Sequence, residues 1–268
     1  MRHYSQSAAP ALACALAILS LPAYAEESRA ALNELSFGGY YSKGDYGQGA
    51  DTSILYFPLS YTRHLGHWNL QLSVPRLEIS GAGNVLVNVG GLGRDDVGLL
   101  QEDVSQTQRG MGDTLISATY QLPALSENAP FIDLGFEVKL PTADENKGLG
   151  TGAHDYGLQM DLYQQWGKTT LFATLGHRFR GTSSLYSDME DSTFVSLGFT
   201  RPLAQRWSGG LIYDFREAAS SNSGETHELL PYVSWALSSQ WTLMGYAVKG
   251  FTQDSADRAV GLQVNYRW

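Results

Sequence analysis

The chain has a single cysteine, Cys14. Any mature form cut after the first two dozen residues therefore lacks thiols. That excludes a disulfide framework and a thiolate metal centre. Charged residues make up only 17% of the sequence, and acidic residues outnumber basic ones 27 to 18. A nucleic acid is thereby excluded as a partner, because neutralising phosphates takes basic patches. Beyond residue 25 no apolar run approaches the roughly 20 residues of a membrane-spanning helix, and mean hydropathy is −0.21. A membrane barrel escapes that exclusion, since only alternate residues of its strands face lipid.

What is present starts at the N-terminus. Arg2 and His3 form a short positive region, residues 8–21 an apolar one, and Pro22-Ala23-Tyr24-Ala25 ends in the small-x-small pattern of a signal peptidase site. Cleavage between Ala25 and Glu26 is expected. A retained anchor is disfavoured, because the apolar run is short for roughly 30 Å of hydrocarbon. A lipoprotein site at Ala11-Leu12-Ala13-Cys14 would leave almost no apolar core before the cut. The expected organisation is a signal peptide at 1–25, a periplasmic segment at 26–34 and one β domain at 35–268.

From Leu35 onward, segments of about ten residues alternate apolar and polar positions. The last is the plainest. Val260, Leu262, Val264, Tyr266 and Trp268 share one face, and Gly261, Gln263, Asn265 and Arg267 the other. Ile132, Leu134, Phe136, Val138 and Leu140 likewise oppose Asp133, Gly135, Glu137 and Lys139. A helix would scatter these residues around its circumference. Residues 192–201, interrupted by Phe194, and 241–251, apolar on both faces, cannot be assigned a facing from sequence.

The connections alternate in length. Short ones lie at 64–67, 123–128, 167–168, 204–206 and 238–240, and longer polar ones at 43–51, 81–110, 142–155, 182–191, 218–226 and 252–257. Short periplasmic turns and long external loops are the pattern of an outer-membrane barrel, here of about twelve antiparallel up-and-down strands with both termini in the periplasm. Trp68, Trp166, Trp207, Trp241 and Trp268 fall beside short turns, where a periplasmic aromatic girdle belongs. A soluble periplasmic β-sandwich also alternates. It is disfavoured because the polar faces carry charges of both signs, and the apolar faces end in aromatics at one level.

On the membrane reading, the candidate pore-lining residues are Asp113, Asp133, Glu137, Lys139, Asp161, Arg178, Arg180, Asp214 and Arg216. Charges in so narrow a space are paired or hydrated. They either select solutes in a water-filled pore or hold a plugged lumen with salt bridges. The middle of the long 81–110 stretch, Asn84 to Val89, is apolar enough to extend a strand or fold inward, although an ordinary external loop is favoured.

Several motifs carry no chemistry. Gly148-Leu149-Gly150-Thr151-Gly152 lacks the Lys-Ser/Thr ending of a phosphate loop, and Gly90-Gly91-Leu92-Gly93 lacks a strand-to-helix context. His64 and His67 share a turn without a third ligand. His227 near Ser220, Ser221, Asn222 and Ser223 is the nearest approach to a barrel hydrolase, and it is weak because loops are normally rich in Ser and Asn. No cofactor, metal or catalytic residue is expected.

One order of motifs is specific. Gly110-Met111-Gly112-Asp113 opens a strand, and Val138-Lys139-Leu140-Pro141-Thr142 closes the next. Gly148-Leu149-Gly150-Thr151-Gly152 and Asp155-Tyr156 then follow. This order resembles the family named for the MetA pathway of phenol degradation, from about Gly110 to the C-terminus, with Ala143 where a Gly is more usual. The resemblance implies an outer-membrane transporter for small aromatic or other hydrophobic compounds. It brings no defined binding residues. The expected partners are outer-membrane lipid, small-molecule solutes and, through the final strand ending in Trp268, the barrel-assembly machinery. A monomer is expected, since twelve strands can close alone. The alternatives are an outer-membrane barrel enzyme acting on lipid and a structural barrel with a sealed lumen.

Overall fold

The computed structural model describes residues 32–47, 51–81, 86–89, 95–98, 107–124, 126 and 129–268. The signal segment with the Ala25–Glu26 junction, Asn84-Val85 and the Gly90-Gly93 run lie outside the described residues.

In chain order the strands are β1 (Asn33–Gly44), β2 (Thr52–Leu65), β3 (Trp68–Ser80), β4 (Leu86–Val89), β5 (Asp95–Gly98), β6 (Gln108–Met111) and β7 (Thr114–Gln121). They continue with β8 (Phe131–Leu140), β9 (Asp155–Trp166), β10 (Thr169–Phe179), β11 (Ser192–Ala204), β12 (Trp207–Arg216), β13 (Thr226–Ala236), β14 (Trp241–Gly250) and β15 (Arg258–Arg267). In the main sheet every pairing is antiparallel: β1 to β3 pair in sequence, β3 pairs with both β6 and β7, β7 to β15 pair in sequence, and β1 pairs with β15. The small β4–β5 hairpin stands apart as its own sheet within the long connection. Counting β6 and β7 as one interrupted strand gives a closed barrel of twelve, as the alternation predicts. Closure removes every sheet edge, so no backbone donor or acceptor of the wall is left facing hydrocarbon. The wall begins slightly earlier than expected, at Asn33. The N–H groups of Leu32 and Asn33 both donate to the Trp268 carbonyl at 3.0 Å, which seals the seam between the two ends.

Tight turns follow from local chemistry. Gly66 and Gly167 have φ of +61° and +60°, and nothing lies within 4 Å of a Cβ added at either. Glycine is therefore required by the left-handed backbone of these two-residue hairpins and not by lack of space.

The outer face is apolar and open to its surroundings. Phe37, Leu59, Leu72, Leu134, Leu158, Leu175, Leu197 and Leu262 are all exposed. At the short-turn end the indoles form a girdle. Trp207 stacks on Trp235 at 5.0 Å, Trp68 tilts against Tyr120 at 4.8 Å, and Trp241 leans on Tyr266 at 4.6 Å. Amphipathic rings settle at the membrane–water boundary, so this band marks the periplasmic interface. The two ambiguous segments resolve. Phe194, Ser196 and Thr200 point inward from β11, and Met244 and Val248 point inward from β14.

Candidate functional site

The inner face is where the structure departs most from expectation. Alternation alone predicts a polar middle. A buried apolar cluster instead fills part of the interior, drawn from Tyr40, Ile54, Tyr56, Leu77, Ile79, Ile212, Leu230, Tyr232, Met244 and Val248. All of these lie on β12–β14 and β1–β3, and Phe172 of β10 joins the same cluster. The reason is geometric. An inward residue needs partners and not necessarily water, and the loops supply apolar ones in Leu149, Tyr46 and Ala256.

Opposite this apolar wall, β7–β10 carry charge. Lys139 is 1% exposed and reaches Asp155 at 2.9 Å, Asp113 at 3.4 Å and the Thr151 hydroxyl at 2.5 Å. Arg178 on β10 donates to Glu137 on β8 at 2.6 Å. On β12, Arg216 donates to Asp214 at 2.8 Å. Near the periplasmic end, Arg267 pairs with Glu34 across the β1–β15 seam. Each pair joins different strands or loops, or neighbours along one face, so the charges brace the wall from inside.

Asp113 owes its position to a break in the wall. On β3, Ser73 faces Leu115 and Arg76 faces Met111, so three steps on one side oppose four on the other. This bulge places Gly112 against Pro75 and Leu77 and turns Asp113 inward. The Asp113 carboxylate then accepts the Ala143 N–H at 3.0 Å and meets Lys139.

Residues 141–154 fold over this cluster as a latch. Asp144 caps a single 3₁₀ turn, Glu145–Lys147, which ends at Gly148 with φ of +65°. The chain next inserts Leu149, 1% exposed, into the apolar cluster and hands Thr151 to Lys139. A Cβ on Gly150 would lie 2.6 Å from an Asp113 oxygen, so glycine is needed for the close approach. The Gly148–Gly152 motif thus cradles a lysine cluster of its own chain. The inward-folding loop of the described residues is this one. Residues 180–191 lie alongside, with Tyr186 buried near Glu145 and Asp113, and burial raises its phenol above its ordinary pKa. Tyr46, which donates to Ser42 at 2.8 Å, is raised for the same reason.

Of the nine sequence candidates, Asp113, Asp133, Glu137, Lys139, Asp161, Arg178, Asp214 and Arg216 face inward. Arg180 is the exception. It lies just past the end of β10 at the extracellular rim, bonded to the Glu190 carbonyl at 2.9 Å and to Ser192 at 2.6 Å, because the strand stops one residue earlier. Sequence reading missed Asp155 and Glu228, both buried and inward. Asp155 was visible in the Gly-rich motif order. Glu228 was masked by Leu230 and Tyr232, apolar residues on its own face.

His227 does not assemble a hydrolase. Its ring nitrogens meet Tyr213 Oη at 2.6 Å and Glu225 at 3.3 Å, while the Ser220 and Ser223 hydroxyls bond each other at 3.3 Å. His64 bonds Asn69 at 2.6 Å, and His67 packs on Tyr120. Among the described residues, no group of three or more His, Cys, Asp or Glu is arranged to hold a metal.

A closed antiparallel barrel with a lipid-facing apolar belt, an aromatic girdle and a charged interior is an outer-membrane protein of a Gram-negative bacterium. Residues 42–268 match the family described as "Putative MetA-pathway of phenol degradation", and the chain belongs to that family. Among solved structures it is similar to the COG4313 outer membrane channel from Pseudomonas putida F1, with TM-score 0.67 and 14% identity over 91% of this chain and 97% of that one. The NanC porin aligns with TM-score 0.57 and 9% identity, covering 87% of this chain and 100% of its own. The translocator domain of the autotransporter NalP from Neisseria meningitidis aligns with TM-score 0.52 and 8% identity, covering 91% of this chain and 90% of its own. No curated protein matches. Since channels and an autotransporter share the architecture, these likenesses establish the fold, and function has to come from the lumen.

Proposed function

We propose that this barrel is a passive outer-membrane channel for small molecules with an apolar, preferably aromatic, body and a polar edge. The observation carrying this reading is the two-sided lumen. Leu230, Tyr232, Met244 and Val248 offer apolar contact, Glu137 and Arg178 offer charge across from them, and Asp214 and Arg216 offer it alongside on β12. A sugar would pay desolvation at the first wall, and a pure hydrocarbon would find no polar partner at the second. Family membership agrees with the reading. The eight inward charged candidates are assigned to selectivity, the barrel acts as a monomer, and catalysis has no part in its work. Cleavage before Glu26 would deliver the chain to the periplasm, and the final strand ending in Trp268 would engage the assembly machinery.

The test is liposome swelling with solutes of graded size and polarity, alongside planar-bilayer recordings. Phenol-sized solutes should enter faster than sugars of equal mass. Asp133→Asn, Glu137→Gln or Arg178→Gln should alter discrete conductance steps. The packed cluster favours a second reading, a structural barrel with a sealed lumen. That reading wins if neither wild type nor a latch variant such as Leu149→Ala admits any solute. A lipid hydrolase would instead show activity that His227→Ala abolishes.

A further inference from the structure

The lipid-facing side of the wall is not uniform at its extracellular rim. On one arc the strands end in apolar side chains. Phe179 at the end of β10 stands opposite Tyr156 on β9, both exposed, and Leu140 closes β8. On the other arc the strand ends carry hydrogen-bond donors. Lys43 on β1 stands directly opposite Arg258 at the start of β15. Lys249 on β14 comes next, one step beyond the Val248–Ala259 pair.

All three cations point outward, because their strand neighbours Ser42, Gly44, Val248, Gly250 and Ala259 are buried on the inner side. In the other direction Lys43 faces Ser53 on β2, and Ser53 faces Ser80 on β3. The Ser80 hydroxyl meets that of Thr107 at 2.7 Å. One lateral row therefore runs Lys249, Arg258, Lys43, Ser53, Ser80 and Thr107, and every side chain in it can donate to an anion. Three acids lie nearby. Lys43 pairs with Asp51 at 2.5 Å, and Glu78, one pair below Ser80, stands opposite Arg109. Lys249 donates to the Asp257 carbonyl at 3.0 Å, and the Asp257 side chain is exposed in the loop ahead of β15. Arg258 is exposed as well, and among the described residues no hydrogen bond or ion pair engages its guanidinium.

A cation on the outer face of a membrane barrel looks toward lipid, so its partner has to come from the bilayer. Directly beneath the row, on the same outward face, lie Ala247, Val260, Tyr41 and Leu55, followed by Leu262 and Phe57. The arc thus offers an apolar surface for acyl chains and, above it, donors for an anionic headgroup. Phosphate suits those donors best, since a guanidinium grips its oxygens in pairs and an ammonium meets them as a point charge. Basic side chains at a membrane boundary bind such headgroups. We propose that the arc from β14 through β15 and β1 to β3 docks a phosphate-bearing lipid of the outer leaflet. Arg258, Lys249 and Lys43 hold its phosphate, and Ser53 and Ser80 extend the contact along the headgroup. The arc spans the β1–β15 seam, so one bound lipid clamps the pairing that closes the ring. Docking on the outer face is independent of which solute the lumen passes.

The experiment titrates the refolded full-length barrel in zwitterionic detergent with purified lipopolysaccharide, with the same lipid after enzymatic removal of its phosphates, with phosphatidylcholine and with inorganic phosphate. Binding and thermal unfolding are both followed. The wild type should bind intact lipopolysaccharide saturably and unfold at a higher temperature in its presence. Arg258→Gln should weaken binding about fivefold, and the triple variant with Lys249→Gln and Lys43→Gln more than tenfold. Arg201→Gln, exposed at the opposite end of the outer face on β11, should change neither readout. Equal affinity for the phosphate-free lipid, or undiminished binding by the triple variant, would overturn the proposal. So would inorganic phosphate that displaces the lipid mole for mole, since the site would then hold a free anion. A dimer that the triple variant abolishes, with no lipid bound, would give the arc to a second copy of the chain and overturn it too. Should the triple variant refold poorly, Arg258→Gln and Lys249→Gln singly decide the same question.

Discussion

The two walls of the lumen are both built from antiparallel strands of one closed sheet, yet they hold the barrel by different physics. On β12–β15 and β1–β3, residues such as Leu230 and Met244 belong to one buried apolar cluster and rely on dispersion and apolar burial. On β7–β10, Lys139 holds Asp113 and Asp155 and takes the Thr151 hydroxyl of the latch, and Arg178 holds Glu137 two strands away. Apolar contact is tolerant of small displacements. A buried ion pair is not, because removing one member strands its partner in a medium that cannot solvate it. The latch spans both regimes, with Leu149 in the apolar wall and Thr151 on Lys139.

That contrast can be broken first at Lys139. Lys139→Met should cost about 3–5 kcal/mol, since Asp113 and Asp155 would be left buried together. Adding Asp113→Asn and Asp155→Asn to it should recover most of the loss. Urea unfolding in detergent measures both, and a single variant as stable as wild type would show that the charged wall does not depend on this lysine. On the apolar side, Leu149→Ala should weaken latch docking by about 2–5 kcal/mol, the usual range for a buried leucine. The mouth should then open more often, seen as higher conductance at unchanged ion selectivity. Tyr232→Phe removes one 3.3 Å bond to the Phe199 carbonyl and leaves the ring in place, so about 0.5–1.5 kcal/mol is expected.

The smallest effect lies outside both walls. Glu217, at the extracellular end of β12, accepts the Thr193 N–H at 2.6 Å, and this bond lowers its pKa below the ordinary 4.5. A depressed carboxylate stabilises the fold at pH values above its unfolded pKa, and the contribution fades as pH falls through the lowered folded value. Glu217→Gln should therefore differ slightly from wild type at neutral pH and converge with it in acid. A gap that widened on acidification would refute the assignment. The side chain is solvent-exposed, so screening keeps the effect small.

Much of this was legible beforehand. The alternation in Ile132–Leu140 and Val260–Trp268, the short turns at Gly66 and Gly167, and the tryptophans beside them each report on local geometry or on the membrane boundary. Charged positions such as Asp133, Glu137 and Arg178 were legible too, because a charge on an alternating strand can only face inward. The latch was not. Gly148–Gly152 reads locally as a flexible polar loop, and only the bulge at Gly112, the register of β3 and the height of Lys139 make it an inward hairpin. Glu228 stayed hidden because apolar neighbours on its own face disguised the inward side of β13.

Sequence by itself determined the strands, their two faces, the number of crossings and the end of the barrel that carries the indoles. These are short-range consequences of a two-residue period and of solvent on one side or the other. Tertiary structure decided which inward residues meet. Ring closure and stagger set that, bringing Asp133, Asp161, Asp214 and Glu228 into one row although nearly a hundred residues separate the first from the last. The contact between Leu149 and the apolar wall has the same origin, since a loop learns what lies beneath it only once the ring has shut.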